Sequence, residues 1–133
     1  MLNIYRYHTN PDQLLYHDSE LYIGDYNGKK LFVASVEYEK KMRIQDGIEY
    51  CKTLNIGNHE WKVPSKDELL FIYEHTKNLK NPRYAFNDNL FSGYYSTTKY
   101  LGALYWVVNF DSGDASTFDA EEYPEYIRPI RLE

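Results

Sequence analysis

The stretch Trp61-Lys62-Val63-Pro64-Ser65-Lys66-Asp67-Glu68-Leu69-Leu70 decides the fold of this chain, because it carries a complete helix-start signal. Ser65 and Glu68 have the S-x-x-E spacing of a capping box, in which the hydroxyl accepts the Glu68 amide and the carboxylate accepts the Ser65 amide. Apolar residues and one threonine then recur at helical spacing: Leu69, Ile72, Tyr73 and Thr76. This spacing predicts a helix from about Ser65 to Leu79 with one buried face.

Strand-like segments precede this helix. Residues 2–8, 21–26 and 31–38 alternate or are rich in β-forming residues, and Asn10-Pro11-Asp12 is a turn signal. Asn27-Gly28 predicts a type I′ hairpin turn, because both turn positions need positive φ. Residues 39–54 carry apolar side chains at helical spacing and predict a first helix, which Gly57 is expected to end.

The last third of the chain is also strand-like. A polar connection from Lys80 to about Gly93 leads into it. The predicted strands are 94–98, 104–110, 115–118 and 126–132, with a tight turn at 111–114 and an irregularity or sheet edge at Pro129. Helices bunched between strands predict one α+β domain over residues 1–133 with an antiparallel sheet.

The amino-acid composition limits the classes of partner that this chain is expected to bind. The chain has 15 Tyr, 6 Phe and 2 Trp in 133 residues, and a net charge of −5. Tyrosines serve amphipathic strand faces and binding surfaces equally well, so both uses stay open. The acidic balance argues against sequence-independent nucleic-acid binding, which needs a basic stripe to neutralise phosphates, and we expect no nucleic-acid partner. We also expect no membrane partner, since no run approaches the about 20 apolar residues of a span.

Four motifs together resemble a known family. They are Trp61 to Leu69 (W-K-V-P-S-K-D-E-L), Tyr94 to Thr98 (Y-Y-S-T-T), Tyr105 to Gly113 (Y-W-V-V-N-F-D-S-G) and Tyr126 to Arg131 (Y-I-R-P-I-R). As a set they are similar to the domain at the C-terminus of a bacterial collagen-like adhesin, which also occurs in many bacterial and phage proteins. The resemblance covers roughly residues 20–133.

The resemblance implies a C-type-lectin-like fold, with two helices on a twisted antiparallel sheet and long variable loops. It implies a distant similarity to the formylglycine-generating enzyme, whose activity is not carried over because one thiol cannot supply that chemistry. Where the family often has a cysteine in its last strand, this chain has Pro129, so Cys51 is left without the partner that the family implies. This departure fits a cytoplasmic protein, in the host cytoplasm or in a virion if a phage encodes it.

The sequence contains few signals of a catalytic or metal-binding site. Cys51 has the register of a buried thiol, flanked at helical spacing by Ile48 and Leu54, and a buried inert role is favoured over a nucleophile. The four histidines lack zinc spacing, so we expect no resident metal or other cofactor. Calcium at Asn109, Asp111 and Asp114 stays open as an alternative to a simple turn.

We therefore expect a non-enzymatic binding module that recognises a protein through loops. A carbohydrate-binding adhesin-like domain is the first alternative, and an enzyme of unrecognised chemistry is the second. Phe86 and Phe91 are either contact residues in a polar loop or aromatics that fold back over the sheet; the acidic segment from Glu121 is either a contact surface or a solvated loop. The candidate partner-binding residues are Phe86, Asn87, Asp88, Phe91, Glu121, Glu122, Tyr123 and Tyr126.

Overall fold

The computed structural model describes residues 19–133, so the predicted strand at 2–8 and the turn at 10–12 lie outside the described residues. Within residues 19–133 there are two α-helices and eight strands. The helices are α1 (Ile44–Thr53) and α2 (Lys66–Thr76). The strands are β1 (Glu20–Tyr26), β2 (Lys29–Ala34), β3 (Lys40–Met42), β4 (Tyr94–Leu101), β5 (Leu104–Val108), β6 (Ala115–Asp119), β7 (Glu125–Ile127) and β8 (Ile130–Leu132).

These strands form two sheets, which we call sheet A and sheet B. Sheet A has the order β1-β2-β8, and sheet B has the order β3-β7-β4-β5-β6. All strand pairs are antiparallel except β4 and β7, which run parallel and meet at Tyr94 and Tyr126. The predicted α+β class is therefore confirmed.

Local signals placed the hairpin and the second helix. Asn27 and Gly28 connect β1 to β2 with φ values of 51° and 81°, as the type I′ turn requires. The Ser65 hydroxyl accepts the Glu68 amide at 3.1 Å, and the Glu68 carboxylate accepts the Ser65 amide at 2.8 Å. The predicted hairpin and capping box are thus both present, and α2 ends three residues before the predicted Leu79.

Three further predicted elements are wrong in their extent. The predicted strand 31–38 ends at Ala34, and Val36–Tyr38 forms a 3-10 turn. The first helix does not begin at residue 39, because Lys40–Met42 is drawn into sheet B by pairing with β7. It ends at Thr53, and Gly57 lies beyond it in a 3-10 turn with φ of 64°. The predicted strand 126–132 is two short strands, since the chain leaves sheet B after Ile127 and enters sheet A at Ile130.

The core lies on both faces of sheet B. On one face, Leu69 and Ile72 of α2 pack with Tyr94 and with residues of sheet A. On the other face, Cys51 of α1 packs with Tyr95 and its neighbours. Adjacent residues Tyr94 and Tyr95 thus serve opposite faces, as strand geometry dictates.

The sequence predicts two core tryptophans, Trp61 at the entry to the capped helix and Trp106 within the most apolar strand, but the structure buries only Trp61 fully. Trp61 is 4% exposed and donates its indole N–H to the Ile56 carbonyl at 3.0 Å. Trp106 is only half-buried. Its ring lies edge-on to exposed Tyr100 at 5.6 Å, and the Lys66 ammonium sits 4.2 Å from its centre.

Replacing Ser65 by alanine is expected to destabilise the domain by about 0.5–2 kcal/mol, because the first turn of α2 loses an amide acceptor. The measurement is the midpoint and slope of urea denaturation. Ser116→Ala, at an exposed serine of β6, is the matched control and should leave the midpoint unchanged. Equal midpoints for the two variants would show that the cap is redundant.

Candidate functional site

The two phenylalanines of the predicted contact loop have different environments. The Phe86 ring stacks on Phe110 at 4.4 Å with an 8° interplanar angle, and it also meets Tyr94 at 5.0 Å. Phe86 therefore covers the core between sheet and loop. Phe91 is 86% exposed, and its neighbour Leu90 is 63% exposed. The large apolar side chains that this loop exposes to solvent thus lie at its tip.

Polar contacts hold this tip in place. The Asn109 side-chain amide donates to the carbonyl oxygens of Leu90 at 3.0 Å and Ser92 at 2.7 Å. Within the loop, the Phe91 amide donates to the Asn89 side-chain oxygen at 2.9 Å. The side-chain oxygen of Asn109 accepts a hydrogen bond from the Asp111 amide at 2.7 Å. Asn109 therefore connects the loop to the turn after β5. The exposed side chains thus stand on a backbone with fixed hydrogen bonds.

A cleft of about 290 Å³ opens beside the tip. It lies on the α1 side of sheet B, where Val107 of β5 and Phe118 of β6 form its floor. The Tyr123 ring stands edge-on to Phe118 at a centroid distance of 6.5 Å and is half exposed. We call the apolar surface formed by Leu90, Phe91, Val107, Phe118 and Tyr123 the Phe91 surface.

Exposed carboxylates lie in the two segments that contribute Phe91 and Tyr123 to the Phe91 surface. Asp88 lies in the loop, and Glu121 and Glu122 lie in the turn after β6; all three are exposed. Glu125 is different, because it is buried and accepts the Gly93 amide at 3.0 Å. Burial raises the pKa of Glu125, so its surroundings disfavour the charged form.

Two further predicted residues, Asn87 and Tyr126, lie at the root of the loop. The Asn87 side chain donates to the Tyr126 hydroxyl at 2.9 Å, and its backbone amide donates to the Tyr94 hydroxyl at 2.6 Å. Tyr126 is half-buried in β7. These contacts connect Asn87 and Tyr126 to the sheet. The candidate partner-binding residues that are exposed to solvent are Asp88, Phe91, Glu121, Glu122 and Tyr123.

A buried arginine, which sequence reasoning missed, supports the loop root. Arg128 is fully buried. Its guanidinium donates to the Ala34 carbonyl at 2.8 Å, the Ala85 carbonyl at 2.8 Å and the Glu39 carboxylate at 3.0 Å. It also lies 4.3 Å from the centre of the Phe86 ring. Burial lowers the pKa of Arg128, and the neighbouring Glu39 carboxylate opposes that effect.

The residues that the sequence offers for a metal site or a cysteine nucleophile have structural roles. Among residues 19–133, no group of three or more His, Cys, Asp and Glu side chains is arranged to hold a metal ion. The Asn109 oxygen, a candidate calcium ligand, is occupied by backbone amides of the turn. Cys51 is 1% exposed, and burial raises the pKa of its thiol to about 12. At neutral pH it is therefore a protonated core residue rather than an activated nucleophile.

A larger cleft of about 510 Å³ lies at the start of α1, next to the β4–β5 hairpin. Arg43 and Lys99 contribute positive charge to it, Asp46 and Glu121 contribute negative charge, and Tyr105 contributes an aromatic ring. The Lys99 ammonium lies 5.9 Å from the centre of the Tyr105 ring. Charges of both signs here give no preference for one class of ligand.

Comparison with known proteins identifies a family. The family described as the Lcl C-terminal domain matches residues 19–131, which is nearly all of the chain that the structure describes. No curated protein matches the chain. No helix within residues 19–133 is both long enough and apolar enough to cross a membrane. The match covers most of the 133 residues, and the chain therefore belongs to the Lcl C-terminal domain family.

Proposed function

We propose that this domain is a non-enzymatic, adhesin-like binding module that recognises a protein through the Phe91 surface. The observation that carries the proposal is the pairing of an 86% exposed Phe91 with a backbone fixed by Asn109. Membership of the Lcl C-terminal domain family supports an adhesin-like role. The lone, buried Cys51 fits a location inside a cell or in a particle assembled there.

Exposed aromatics on a fixed loop favour recognition for an energetic reason. Burying a phenylalanine side chain fully contributes about 1.5–3 kcal/mol. Because the loop backbone is already hydrogen-bonded, association costs little additional ordering. The half-exposed Tyr123 extends the same surface through Phe118. A few such anchors carry most of the affinity in protein interfaces.

The negative charge of the segments that form the Phe91 surface favours a protein partner with a basic binding surface. Exposed Asp88 lies in the loop that carries Phe91, exposed Glu121 and Glu122 lie in the segment that carries Tyr123, and the whole chain has a net charge of −5. A partner that places Lys or Arg beside an apolar side chain would complement both features. Such rim charges accelerate association and make it sensitive to ionic strength.

The test uses a random-peptide library displayed on phage and selected against the immobilised wild-type domain. We expect selected peptides to combine a large apolar residue with Lys or Arg. Phe91→Ala should weaken their binding at least about tenfold, because one anchor is lost, while the melting temperature stays unchanged. Isothermal titration calorimetry measures the affinity.

Leu101→Ala is the matched control, because Leu101 is 61% exposed but lies at the β4–β5 hairpin, away from the cleft. It should bind the selected peptides as well as wild type does. Peptides that bind equally to wild type and Phe91→Ala would contradict the proposal. A library that yields no Phe91-dependent peptide would also contradict it.

Carbohydrate binding is a second candidate, supported by the half-buried Trp106. Its ring, exposed Tyr100 and the Lys66 ammonium form an aromatic platform with one positive charge. Trp106 points to the opposite face of β5 from Val107, so this platform is separate from the Phe91 surface. Binding to a glycan array that Trp106→Ala abolishes and Phe91→Ala leaves intact would favour this candidate.

A further inference from the structure

Strand β6 lies at one edge of sheet B, and no other strand of residues 19–133 pairs with its outer side. β6 pairs with β5 in antiparallel register, with Ser116 opposite Val107 and Phe118 opposite Tyr105. Beyond its two ends, the Asn109 amide donates to Asp114 and the Ala120 amide donates to Ala103.

Hydrogen-bonded pairs alternate with non-hydrogen-bonded pairs along an antiparallel ladder. Because the pairs beyond both ends of β6 are hydrogen-bonded, the register makes Ser116 and Phe118 the residues of β6 whose backbone groups bond to β5. The N–H and C=O groups of Ala115 and Thr117 therefore point away from the sheet. Among residues 19–133, no strand pairs with this side of β6.

The two edges of sheet B are protected to different degrees. The opposite edge strand, β3, has only three residues, and two of them are Lys40 and Lys41. Lysines and short length are common means of preventing another strand from adding to an edge. The sequence of β6, Ala-Ser-Thr-Phe-Asp, contains neither lysine nor proline. Among the described residues, the β6 edge is therefore the less protected of the two edges of sheet B.

This edge is continuous with the cleft of the Phe91 surface. Ser116 and Phe118 line the cleft together with Leu90 and Phe91. A strand added beside β6 would place every second side chain on the face that carries Ser116 and Phe118. One apolar side chain of the added strand would then contact the cleft while the backbone pairs with Ala115 and Thr117.

Carboxylates flank the edge at both ends. Asp111 and Asp114 precede β6, Glu121 and Glu122 follow it, and all four are exposed. The Asp119 carbonyl accepts the amides of the following turn, which closes the edge at that end. The open part is thus short, and negative charge borders it on both sides.

We infer that the partner binds as an extended segment that adds a strand to β6, with one apolar side chain in the cleft and basic residues on either side. The inference rests on the proposed function and specifies how the partner is recognised. Main-chain hydrogen bonds to Ala115 and Thr117 supply affinity, and the cleft supplies side-chain selectivity. The flanking Lys or Arg residues pair with the carboxylates at the ends of β6.

The test compares two variants of one edge residue against a peptide selected from the library described above. Thr117→Pro removes the outward N–H and fills its place with the ring, while the inward hydrogen bonds of Ser116 and Phe118 remain. We expect it to weaken peptide binding at least about tenfold, because an intermolecular hydrogen bond is lost and the ring obstructs the added strand. Thr117→Val keeps the N–H and should bind within about twofold of wild type.

A second measurement uses the wild-type domain, so it decides the question even if Thr117→Pro fails to fold. The peptide is N-methylated at one backbone amide at a time. Strand addition predicts that methylation at every second residue abolishes binding, while methylation at the residues between them is tolerated. Uniform tolerance along the peptide would overturn strand addition.

The outcomes separate this inference from the proposed function. If Phe91→Ala weakens binding but Thr117→Pro and N-methylation do not, strand addition is wrong and recognition through the Phe91 surface stands. If Phe91→Ala has no effect, the proposed function itself fails. Loss of binding with Phe91→Ala, with Thr117→Pro and with alternate N-methylation supports both.

Discussion

Replacing Arg128 by methionine is expected to destabilise the domain by about 3–5 kcal/mol, because it leaves the mostly buried Glu39 carboxylate without its charged partner. The substitution removes the guanidinium but keeps much of the side-chain volume. Glu39 then loses its charged partner while its side chain stays mostly buried. The carbonyl groups of Ala34 and Ala85 also lose the donors that now satisfy them. Guanidinium chloride denaturation measures the change in the free energy of unfolding.

Arg43→Met is the matched control, because Arg43 is an exposed arginine at the start of α1. We expect it to change the free energy of unfolding by no more than about 0.5 kcal/mol. The double variant Glu39→Gln/Arg128→Met should be less destabilised than the sum of the single changes, since no unpaired charge remains. Equal effects of Arg128→Met and Arg43→Met would show that the buried ion pair does not stabilise the fold.

Replacing Trp61 by alanine is expected to cost about 3–5 kcal/mol of folding free energy, because a buried indole leaves a large cavity. Trp61 is 4% exposed, and its indole N–H bonds the Ile56 carbonyl. Its neighbour Lys62 forms a backbone bridge with Ile130, so the indole lies beside the edge of β8. The measurement is the urea midpoint together with the slope, which reports whether the transition stays cooperative.

Trp106→Ala is the matched control for Trp61→Ala. It removes the same side chain from a half-buried position next to exposed Tyr100, so it should cost clearly less. Intrinsic fluorescence offers an independent check, since iodide should quench Trp106 in the native state more strongly than Trp61. An equal stability loss for both variants would mean that burial does not distinguish the two tryptophans.

The sequence predicted the elements that local signals specify. The Asn27-Gly28 turn and the Ser65–Glu68 capping box depend on residues within a few positions, and both are present. β3 has no such local signal. Its residues, Lys40–Met42, become a strand because they pair with β7, which lies more than eighty residues away along the chain. Tertiary context overrides local propensity in cases of this kind.

The same reason limits what could be predicted of the candidate site. Both loops were predicted as contact segments, but only the fold shows that Phe118 and Val107 lie between them. Phe86 and Phe91 are the same residue type in one loop, and their different burial follows from where Phe110 and Asn109 are placed. The burial of Arg128 runs against the usual exposure of arginine, so composition could not indicate it.

The separation of β7 and β8 at Pro129 has a consequence for biosynthesis. β8 pairs with β2 through Leu132 and Leu31, and β7 pairs with β3 through Ile127 and Lys40. Neither sheet can therefore be completed until β7 and β8, which are the last strands of the domain to be synthesised, have left the ribosome. Until then, apolar positions such as Leu31 lack the strand that completes their sheet. Because long-range strand pairing forms slowly and leaves apolar surface exposed until it is complete, we expect the nascent domain to be prone to aggregation in this interval.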